Sequence, residues 1–409
     1  MNKSILFITV TFPPRLSVAS LRIYHYANLF QKHGWKVTVL TAAQFGEMKS
    51  SEFDLKHMEV VHVPWNDPFD KVLQIRNSLI RKICFKLYSF FIPYLATWYP
   101  DIRFISWRRN GIRLAESLIE KNQITYVFSS YSPPSPHLVA SVLKKKFPQL
   151  YWIAEFRDLM SFSHSNKFWE YPLALLHNRF ERKLLNKCND ILCVSKGHAI
   201  QLSKYLNRKV SVLYNGCDFE VYLSLDKIQQ NRFTILYTGN IYKRRNDIDL
   251  FFKGLKTVIA TSKNAITLLF LGTPKSSFLK NKISNYGLEN FVEFIPKQNH
   301  ALVRQYQKSA NILLHFCWNK PNQQGNLTGK IFEYISARKP VLSIGHQNEV
   351  AEILEHTASG STFKNPDRIA DFILNQIQNP SELVQLNDTE NKFSKLNQFL
   401  ELEQRISKQ

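Results

Sequence analysis

Short apolar runs alternate with helix-length amphipathic segments along most of the chain, and this alternation limits the fold more than any other feature. The run at 5–10 is apolar apart from Thr9, which is typical of a strand buried on both faces. A segment with helical spacing follows at 21–32 and stops before Gly34, and a second strand is predicted at 36–40. Repetition of this kind predicts a parallel sheet with helices on both faces.

The alternation is interrupted once, at the turn dipeptide Asn215-Gly216 and the polar stretch 226–232, and then restarts. Before the break, strands are also predicted at 125–129, 151–155 and 190–194, with helices near 103–121, 136–146 and 169–187. After it, strands are predicted at 233–238, 266–271, 292–295, 311–315 and 340–343. We therefore expect an α/β protein with two Rossmann-like, doubly wound domains facing a cleft, at 1–214 and 215–380. A C-terminal helical segment, 381–409, can pack back on the first domain.

Charge and cysteine content narrow the classes of partner. The 409 residues carry 54 Lys and Arg against 32 Asp and Glu, a net charge of +22. This excess favours anionic partners, either a bilayer surface or phosphorylated substrates. Because the charge is spread over both domains without a recognised nucleic-acid motif, we expect no nucleic-acid partner. No apolar run approaches the ~20 residues that span a bilayer. Five cysteines without a Cys-x-x-Cys pattern argue against a disulfide framework, so a cytoplasmic protein is expected.

The region 71–113 has a composition of its own. Nine Lys and Arg residues are interleaved with aromatic side chains, and the one acidic residue is Asp101. Basic and aromatic residues in this mixture suit an element that lies in a membrane interface. The alternative is an ordinary pair of core helices with a solvated basic rim. For the membrane or acceptor face we select Arg81, Lys82, Lys86, Trp98 and Trp107.

Two loops of the second domain carry residues suited to a nucleotide diphosphate, and open α/β sheets bind ligands at the carboxyl ends of their strands. Gly239 and Asn240 follow the strand at 233–238, and cations including Arg244 and Arg245 come next. Glycine lets a ligand approach the backbone, and the cations can neutralise a diphosphate, although a merely basic loop has the same composition.

The second loop, 325–334, leads from small residues into a helix whose free amides attract anions. Lys330 adds a positive charge there, and Glu333, one turn later, could accept both hydroxyls of a ribose. The alternative is an exposed ion pair between these two side chains. The Gly-Lys pair is not a Walker A loop, because Ile331 stands where a hydroxyl must hold magnesium.

Two candidates for chemistry lie in the first domain. Ser135 as the capping residue and Pro136 at the first helical position predict a helix start. This places His137 beside the positive end of the dipole and favours a neutral imidazole that can bind a sugar hydroxyl. The alternative is a capping or core histidine. Asp158 ends a segment in which two carboxylates flank Arg157; such groups usually form a structural ion-pair cluster, but in a cleft Asp158 could orient an acceptor.

Three other sequence patterns give little indication of function. Asp247-Ile248-Asp249 matches a metal-binding Asp-x-Asp but opens a predicted helix, where acidic residues are favoured by the dipole. The absence of Gly-x-Gly-x-x-Gly leaves a nicotinamide cofactor without support. Cys188 and Cys193 flank an apolar strand and are expected to be core residues.

Together these segments resemble glycosyltransferase family 4, the retaining nucleotide-sugar transferases of the GT-B fold. The resemblance covers nearly the whole chain. It is carried by 12–14 with 33–41, 156–159, 189–195, 215–218, 237–242, and 330–334 with 339–342. It is strongest for the branch that builds bacterial capsule, O-antigen and lipopolysaccharide glycans.

The resemblance implies roles for the residues above. The donor nucleotide lies mainly on the second domain: Glu333 binds the ribose, while Lys330, the amides of Thr328 and Gly329, and Arg244 or Arg245 meet the diphosphate. His137 and Asp158 lie toward the sugar and acceptor. No cofactor or metal is implied, because cations and a helix terminus stabilise the departing phosphate.

The chain departs from the family pattern at three places. Gly325 replaces the first glutamate of the family's pair, and Asn240 replaces an arginine. The first loop, usually Gly-Gly, is replaced by residues 15–20.

The leading hypothesis is transfer of a sugar from a UDP- or GDP-linked donor to a lipid-linked or growing glycan acceptor, at the inner face of the cell membrane. The missing glutamate at Gly325 keeps a second hypothesis open, a non-catalytic sugar-nucleotide binder or assembly subunit. The base, the sugar, the acceptor, the linkage and the oligomeric state are not encoded in any motif of the sequence.

Overall fold

The computed structural model describes residues 3–14, 17–43, 53–65, 72, 74–98, 101–160, 171–242, 247–262, 265–317, 325–381, 383–387 and 392–408, with side chains except at 92–98 and 171–175. Residue contacts divide the chain into two units, Met1–Leu213 and Tyr214–Gln409. The predicted domain boundary after residue 214 lies one residue from this division.

The first unit is built on a parallel sheet with the strand order β3-β2-β1-β4-β5-β6-β7. Its strands are β1 (Ser4–Ile8), β2 (Lys36–Ala42), β3 (Glu59–Val63), β4 (Tyr126–Tyr131), β5 (Tyr151–Phe156), β6 (Asp190–Cys193) and β7 (Ser211–Val212). Its helices are α1 (Val18–Lys32), α2 (Ser78–Trp98), α3 (Ile105–Asn122), α4 (Ser135–Lys146), α5 (Tyr171–Leu185) and α6 (Lys196–Leu206). The central strands are fully buried because their apolar runs are covered on both faces.

The second unit repeats the design with the strand order β10-β9-β8-β11-β12-β13, again parallel. Its strands are β8 (Phe233–Thr238), β9 (Ile266–Leu271), β10 (Val292–Ile295), β11 (Ile312–Phe316), β12 (Val341–Ile344) and β13 (Gly360–Phe363). Its helices are α7 (Phe219–Leu223), α8 (Ile248–Thr261), α9 (Ser277–Tyr286), α10 (His300–Ser309), α11 (Lys330–Ser336), α12 (Glu349–His356), α13 (Pro366–Gln378) and α14 (Lys395–Ser407). Two parallel α/β sheets confirm the predicted fold class.

The strand order of the second unit fixes where a ligand site can form. The chain lays down β8, β9 and β10 toward one edge and then returns to place β11 on the other side of β8. Ligands of doubly wound sheets bind at the carboxyl ends of the strands flanking such a reversal. The loop after β8 and the segment that follows β11 therefore both begin at the same edge of the sheet.

Most predicted strands are present, and three of them, β8, β9 and β10, have the predicted bounds. The strands β3, β7 and β13 were not predicted. The sequence of β13 is Gly-Ser-Thr-Phe and β7 has two residues, so neither forms an apolar run. The strand β3 lies at the edge of its sheet and carries the exposed His62, so its pattern is weak.

The C-terminal helix α14 is anchored within the second unit. The amide of Lys395 donates to the carbonyl of Cys217 at 2.9 Å, and the amide of Tyr214 donates to Oε1 of Gln398 at 3.0 Å. These bonds join the end of the chain to the segment that opens the second unit.

Candidate functional site

The turn after β8 is held in one conformation by three hydrogen bonds. Gly239 has a φ of +97°, a backbone region that side chains disfavour. Its amide donates to the carbonyl of Leu271 at 2.9 Å, and its carbonyl accepts from the hydroxyl of Thr273 at 2.5 Å. The phenol of Tyr237 donates to the carbonyl of Asn240 at 2.8 Å. The turn is thus a fixed edge beside which a ligand can lie.

Lys330 reaches this turn from the first residue of α11. A Cβ atom placed on Gly239 would lie 3.3 Å from Nζ of Lys330, and Nζ lies 4.3 Å from the centre of the Tyr237 ring. Burial lowers the pKa of Lys330 to about 8, although the negative charge of Glu333 opposes this shift. The structure therefore brings together two predicted residues from different loops, a glycine without a side chain and a cation above it.

Glu333 is half-buried on the same helix, and a neighbouring amide holds it. Nε2 of Gln307 donates to Oε2 of Glu333 at 3.2 Å. On α11, Glu333 lies one turn after Lys330, so both side chains emerge on the same side of the helix. Gln307 lies in α10 and was not predicted, because no motif marks it.

Thr328 and Gly329 lead into α11 beside a histidine that the sequence did not indicate. Oγ1 of Thr328 lies 3.5 Å from Nε2 of His315, whose Nδ1 lies 2.9 Å from the hydroxyl of Ser343. Burial and the nearby charge of Lys330 lower the pKa of His315 to about 3, so the imidazole is neutral at physiological pH. His315 was missed because it lies in an apolar strand.

The remaining predicted donor residues are placed only in part. Arg244 and Arg245 lie outside the described residues, so their role stays a prediction. Asn240 is exposed at the turn, and Gly329 is the residue before α11, where an added Cβ would lie 3.4 Å from Nδ2 of Asn215. Gly325 is buried.

The Asp-x-Asp segment opens a helix, as predicted. Asp247 precedes α8, and Asp249 accepts from Lys282 at 2.7 Å in a partly exposed ion pair. Within the described parts of the chain, no group of three His, Cys, Asp or Glu side chains is arranged to hold a metal ion. Independence from metal remains a prediction.

His137 of the first unit is buried in an aromatic environment. The helix α4 begins at Ser135 itself, so the prediction of Ser135 as the capping residue is wrong by one position; its hydroxyl instead donates to the carboxylate of Asp101. The Nδ1 atom of His137 lies 2.8 Å from the hydroxyl of Ser129, and its ring centre lies 4.7 Å from that of Phe156. Burial, with a smaller contribution from Arg157, lowers the pKa of His137 to about 3. The imidazole is neutral, as predicted, but burial rather than the helix dipole causes it, and its position is that of a core histidine.

The acidic segment at the end of β5 does not form the ion-pair cluster that its sequence indicates. Glu155 is fully buried and pairs with Nε of Arg22 at 2.5 Å, a residue far away in the chain. Nε of Arg157 donates to the carbonyl of Tyr131 at 2.7 Å. Asp158 is exposed at the end of the segment, where it is accessible to a ligand.

The basic and aromatic region contains an exposed helix and a buried tryptophan. Arg81, Lys82 and Lys86 are exposed on α2, while the side chain of Trp98 is outside the described residues. Trp107 is fully buried in the core of the first unit, so its predicted place on a membrane face is wrong. Its ring packs inward because α3 packs against β2 and β3 of the sheet. No helix among the described residues is long and apolar enough to cross a membrane.

Comparison with known proteins finds a family match in the second unit. Residues 232–379 match the sequence model of a family described as Glycosyl transferases group 1. The chain is similar to this family over these residues. The matched residues include the Gly239 turn, Lys330 and Glu333. No curated protein sequence matches the chain.

Solved structures resemble the whole chain at low sequence identity and therefore show the fold alone. A glycosyltransferase from Rickettsia africae is 13% identical with a TM-score of 0.66, covering 100% of this chain and 98% of its own. An α,α-trehalose-phosphate synthase (UDP-forming) from Burkholderia xenovorans is 10% identical with a TM-score of 0.64, covering 100% of both chains. The lipopolysaccharide outer core galactosyltransferase WaaB is 16% identical with a TM-score of 0.57, covering 99% of both. The fold is the two-domain GT-B fold.

Proposed function

We propose that this protein transfers a sugar from a nucleoside-diphosphate sugar to a lipid-linked or growing glycan acceptor in the synthesis of a cell-surface polysaccharide, with retention at the anomeric carbon. The observation that carries the proposal is the position of the Lys330 amine, 3.3 Å from where a Cβ of Gly239 would lie, with Glu333 one turn further along α11. A cation over a backbone that lacks a side chain suits a diphosphate, and the neighbouring carboxylate suits the ribose attached to it.

In the proposed reaction, the bond between the anomeric carbon and the diphosphate oxygen breaks while the acceptor oxygen bonds to the same face of that carbon. The acceptor proton passes to the departing phosphate. Lys330 stabilises the charge that develops on the diphosphate, which is the usual way a fixed cation lowers such a barrier. No residue of this chain is required to form a covalent bond, and no metal is proposed.

A UDP- or GDP-linked donor is proposed, with UDP as the first to test. One of the similar structures is described as UDP-forming, and another as a galactosyltransferase of the lipopolysaccharide outer core. These similarities do not identify the sugar or the acceptor of this chain, because identities of 10% and 16% show the fold alone.

Calorimetry with UDP and GDP tests the nucleotide site. Lys330→Ala and Glu333→Ala should each weaken binding of the preferred nucleotide about 10- to 100-fold, since hydrogen bonds to charged groups contribute about 1.5–3 kcal/mol. Lys282→Ala is the matched control, because Lys282 lies in the same unit but pairs with Asp249. Unchanged affinity in both site variants would contradict the assignment.

A donor panel incubated with membrane extract separates an enzyme from a non-catalytic binder. The enzyme should form product, and the exposed Asp158 offers a variant, Asp158→Asn, that should lower turnover without unfolding the core. Binding of a nucleotide sugar without turnover of any donor would favour the assembly-subunit hypothesis instead.

We also propose that the protein binds the inner face of the cell membrane through α2. This helix carries apolar side chains that are exposed, among them Leu79 at 67% and Phe90 at 73%. Ile80, Ile83, Leu87 and Phe90 are exposed and recur at helical spacing on one face. Arg81 and Lys82 lie on the opposite side, Lys86 lies at the border between the two, and the helix contains no acidic residue. An exposed helix of this kind is typical of an in-plane membrane anchor on anionic lipid.

Flotation with liposomes tests this partner. The protein should float with vesicles that contain phosphatidylglycerol and stay behind with pure phosphatidylcholine, more so at low salt. The triple variant Arg81→Gln, Lys82→Gln, Lys86→Gln should lose about 100-fold in affinity, since each cation contributes about 1 kcal/mol. Phe90→Ser should weaken binding, whereas Ile200→Ser, which alters a side chain 67% exposed on α6, should not. Equal recovery with both vesicle types would contradict the proposal.

A further inference from the structure

Two buried polar side chains, Tyr222 and Gln307, lie behind Glu333. They form a series of hydrogen bonds, called the relay below, that ends on the carboxylate of Glu333. Tyr222 lies in α7 and Gln307 in α10, and both are buried, Gln307 completely. The phenol of Tyr222 donates to Oε1 of Gln307 at 2.5 Å. Nε2 of Gln307 donates to Oε2 of Glu333 at 3.2 Å. Three elements of the second unit are thereby linked at the proposed ribose site.

The chemistry of the three groups fixes which one donates and which one accepts in each hydrogen bond of the relay. An ionised carboxylate only accepts hydrogen bonds, so the amide nitrogen of Gln307 must face Glu333 and its oxygen must face Tyr222. The phenol then has to donate. It stays protonated, because burial and the charge of Glu333 raise the pKa of Tyr222 well above its ordinary value. With Gln307 unable to turn over, Glu333 has a preferred position.

The bond from Gln307 occupies one of about four acceptor positions on the Glu333 carboxylate. The others remain available to a diol. An aliphatic side chain would fill the buried site of Gln307 without the cost of burying an amide, so the amide is explained by what it does to the half-buried carboxylate.

We propose that Tyr222 and Gln307 are positioning residues that hold Glu333 in the orientation in which it binds the ribose hydroxyls of the donor. This inference rests on the proposed function, because it assumes that Glu333 binds ribose. Neither residue touches the ligand. Their effect should therefore appear in the recognition of ribose hydroxyls rather than in general nucleotide affinity.

The test compares UDP with 2′-deoxy-UDP, and GDP with 2′-deoxy-GDP, by calorimetry, and uses the base that binds more tightly. The wild-type protein should prefer the ribonucleotide about tenfold. In Gln307→Met and Tyr222→Phe the preference should fall to about twofold or less. The first variant removes the bond to the carboxylate, and the second leaves Gln307 able to turn over. Gln398→Met is the matched control, since Gln398 is a buried glutamine of the same unit that bonds to the amide of Tyr214. It should keep the full preference.

The outcomes separate this inference from the proposed function. If the wild type discriminates, Glu333→Ala does not, and both positioning variants still do, the relay is overturned while the ribose site stands. If the wild type shows no preference or binds neither nucleotide, the ribose assignment fails and the relay fails with it. A loss of preference that also occurs in Gln398→Met would assign the effect to general destabilisation and overturn the relay. Thermal unfolding shows whether Gln307→Met or Tyr222→Phe fails to fold. If one of them does, the nucleotide preference of the other tests the relay.

Discussion

Lys330 is a cation whose charge the fold makes easy to remove. Its pKa of about 8 results from burial, only partly opposed by Glu333. The amine of an exposed lysine stays protonated well above this pH. Here burial removes water from the charged amine, which destabilises the protonated form and lowers its pKa. A diphosphate placed beside Nζ would restore a partner for the charge.

The affinity for UDP should therefore fall as the pH rises through about 8. The charged amine is the form that attracts the diphosphate, and most of it is lost between pH 7 and 9, which predicts a decrease of about tenfold. Calorimetry at a series of pH values measures this. Lys330→Arg should remove the pH dependence, because arginine stays charged. A wild-type affinity that is constant from pH 7 to 9 would contradict the placement of Lys330.

Arg22 and Glu155 form a buried ion pair that locks α1 onto the end of β5. Glu155 also accepts from the hydroxyl of Ser130 at 2.6 Å, and Arg22 donates to the carbonyl of Leu213 at 2.7 Å. Because each partner also makes a hydrogen bond outside the pair, the pair is tolerated in the core. Removing one partner leaves an uncompensated charge.

Arg22→Met should lower the free energy of unfolding by about 3–5 kcal/mol, the cost typical of breaking a buried pair. The control is Lys121→Met, which breaks the exposed pair with Glu59 in the same unit and should cost less than about 1 kcal/mol. Urea denaturation measures both. Similar losses in the free energy of unfolding in the two variants would show that burial does not increase the contribution of the Arg22–Glu155 pair to stability.

At the scale of elements, two glycines within helices serve different purposes. A Cβ on Gly254 of α8 would lie 2.7 Å from the carbonyl of Pro366 and 2.8 Å from the side chain of Ile369, so this glycine allows α8 and α13 to pack closely. A Cβ on Gly111 of α3 would meet its nearest atom, in Leu40, at 3.7 Å, which is ordinary contact.

Gly254→Ala should therefore destabilise the protein by about 1–3 kcal/mol through overpacking. Gly111→Ala should stabilise it by about 0.5–1 kcal/mol, because alanine loses less backbone entropy in a helix. Thermal or urea unfolding of the two variants measures the difference. A loss of stability at Gly111, or a gain at Gly254, would contradict the packing described for these helices.

At the scale of the whole molecule, the chain contains two units with separate hydrophobic cores. The described residues that meet at the candidate nucleotide site, Gly239, Lys330, Glu333 and Gln307, all lie in the second unit, within the part that matches the glycosyl transferase family. His137, Asp158 and α2 lie in the first. The assignment of the donor to the second unit and the acceptor and membrane roles of the first remain proposals.

The sequence by itself determined the elements and their class. Apolar periodicity and turn residues depend on neighbours a few positions apart, so β8, β9, β10 and the start of α8 could be predicted from short segments. The positions of Gly239 and Lys330 were also predicted, because glycine after a strand and lysine at a helix start are local signals. The strand β13 was missed for the same reason, since it has no local apolar pattern.

Only the tertiary structure decided which of these residues meet. Nothing local to Glu155 indicates Arg22, and nothing local to Glu333 indicates Gln307 and Tyr222, because each pairing joins elements distant in the chain. Packing also decided that Trp107 is buried while α2 is exposed, although both lie in the same basic and aromatic region. Burial depends on which face of a helix meets the sheet, and that is set by the assembled fold.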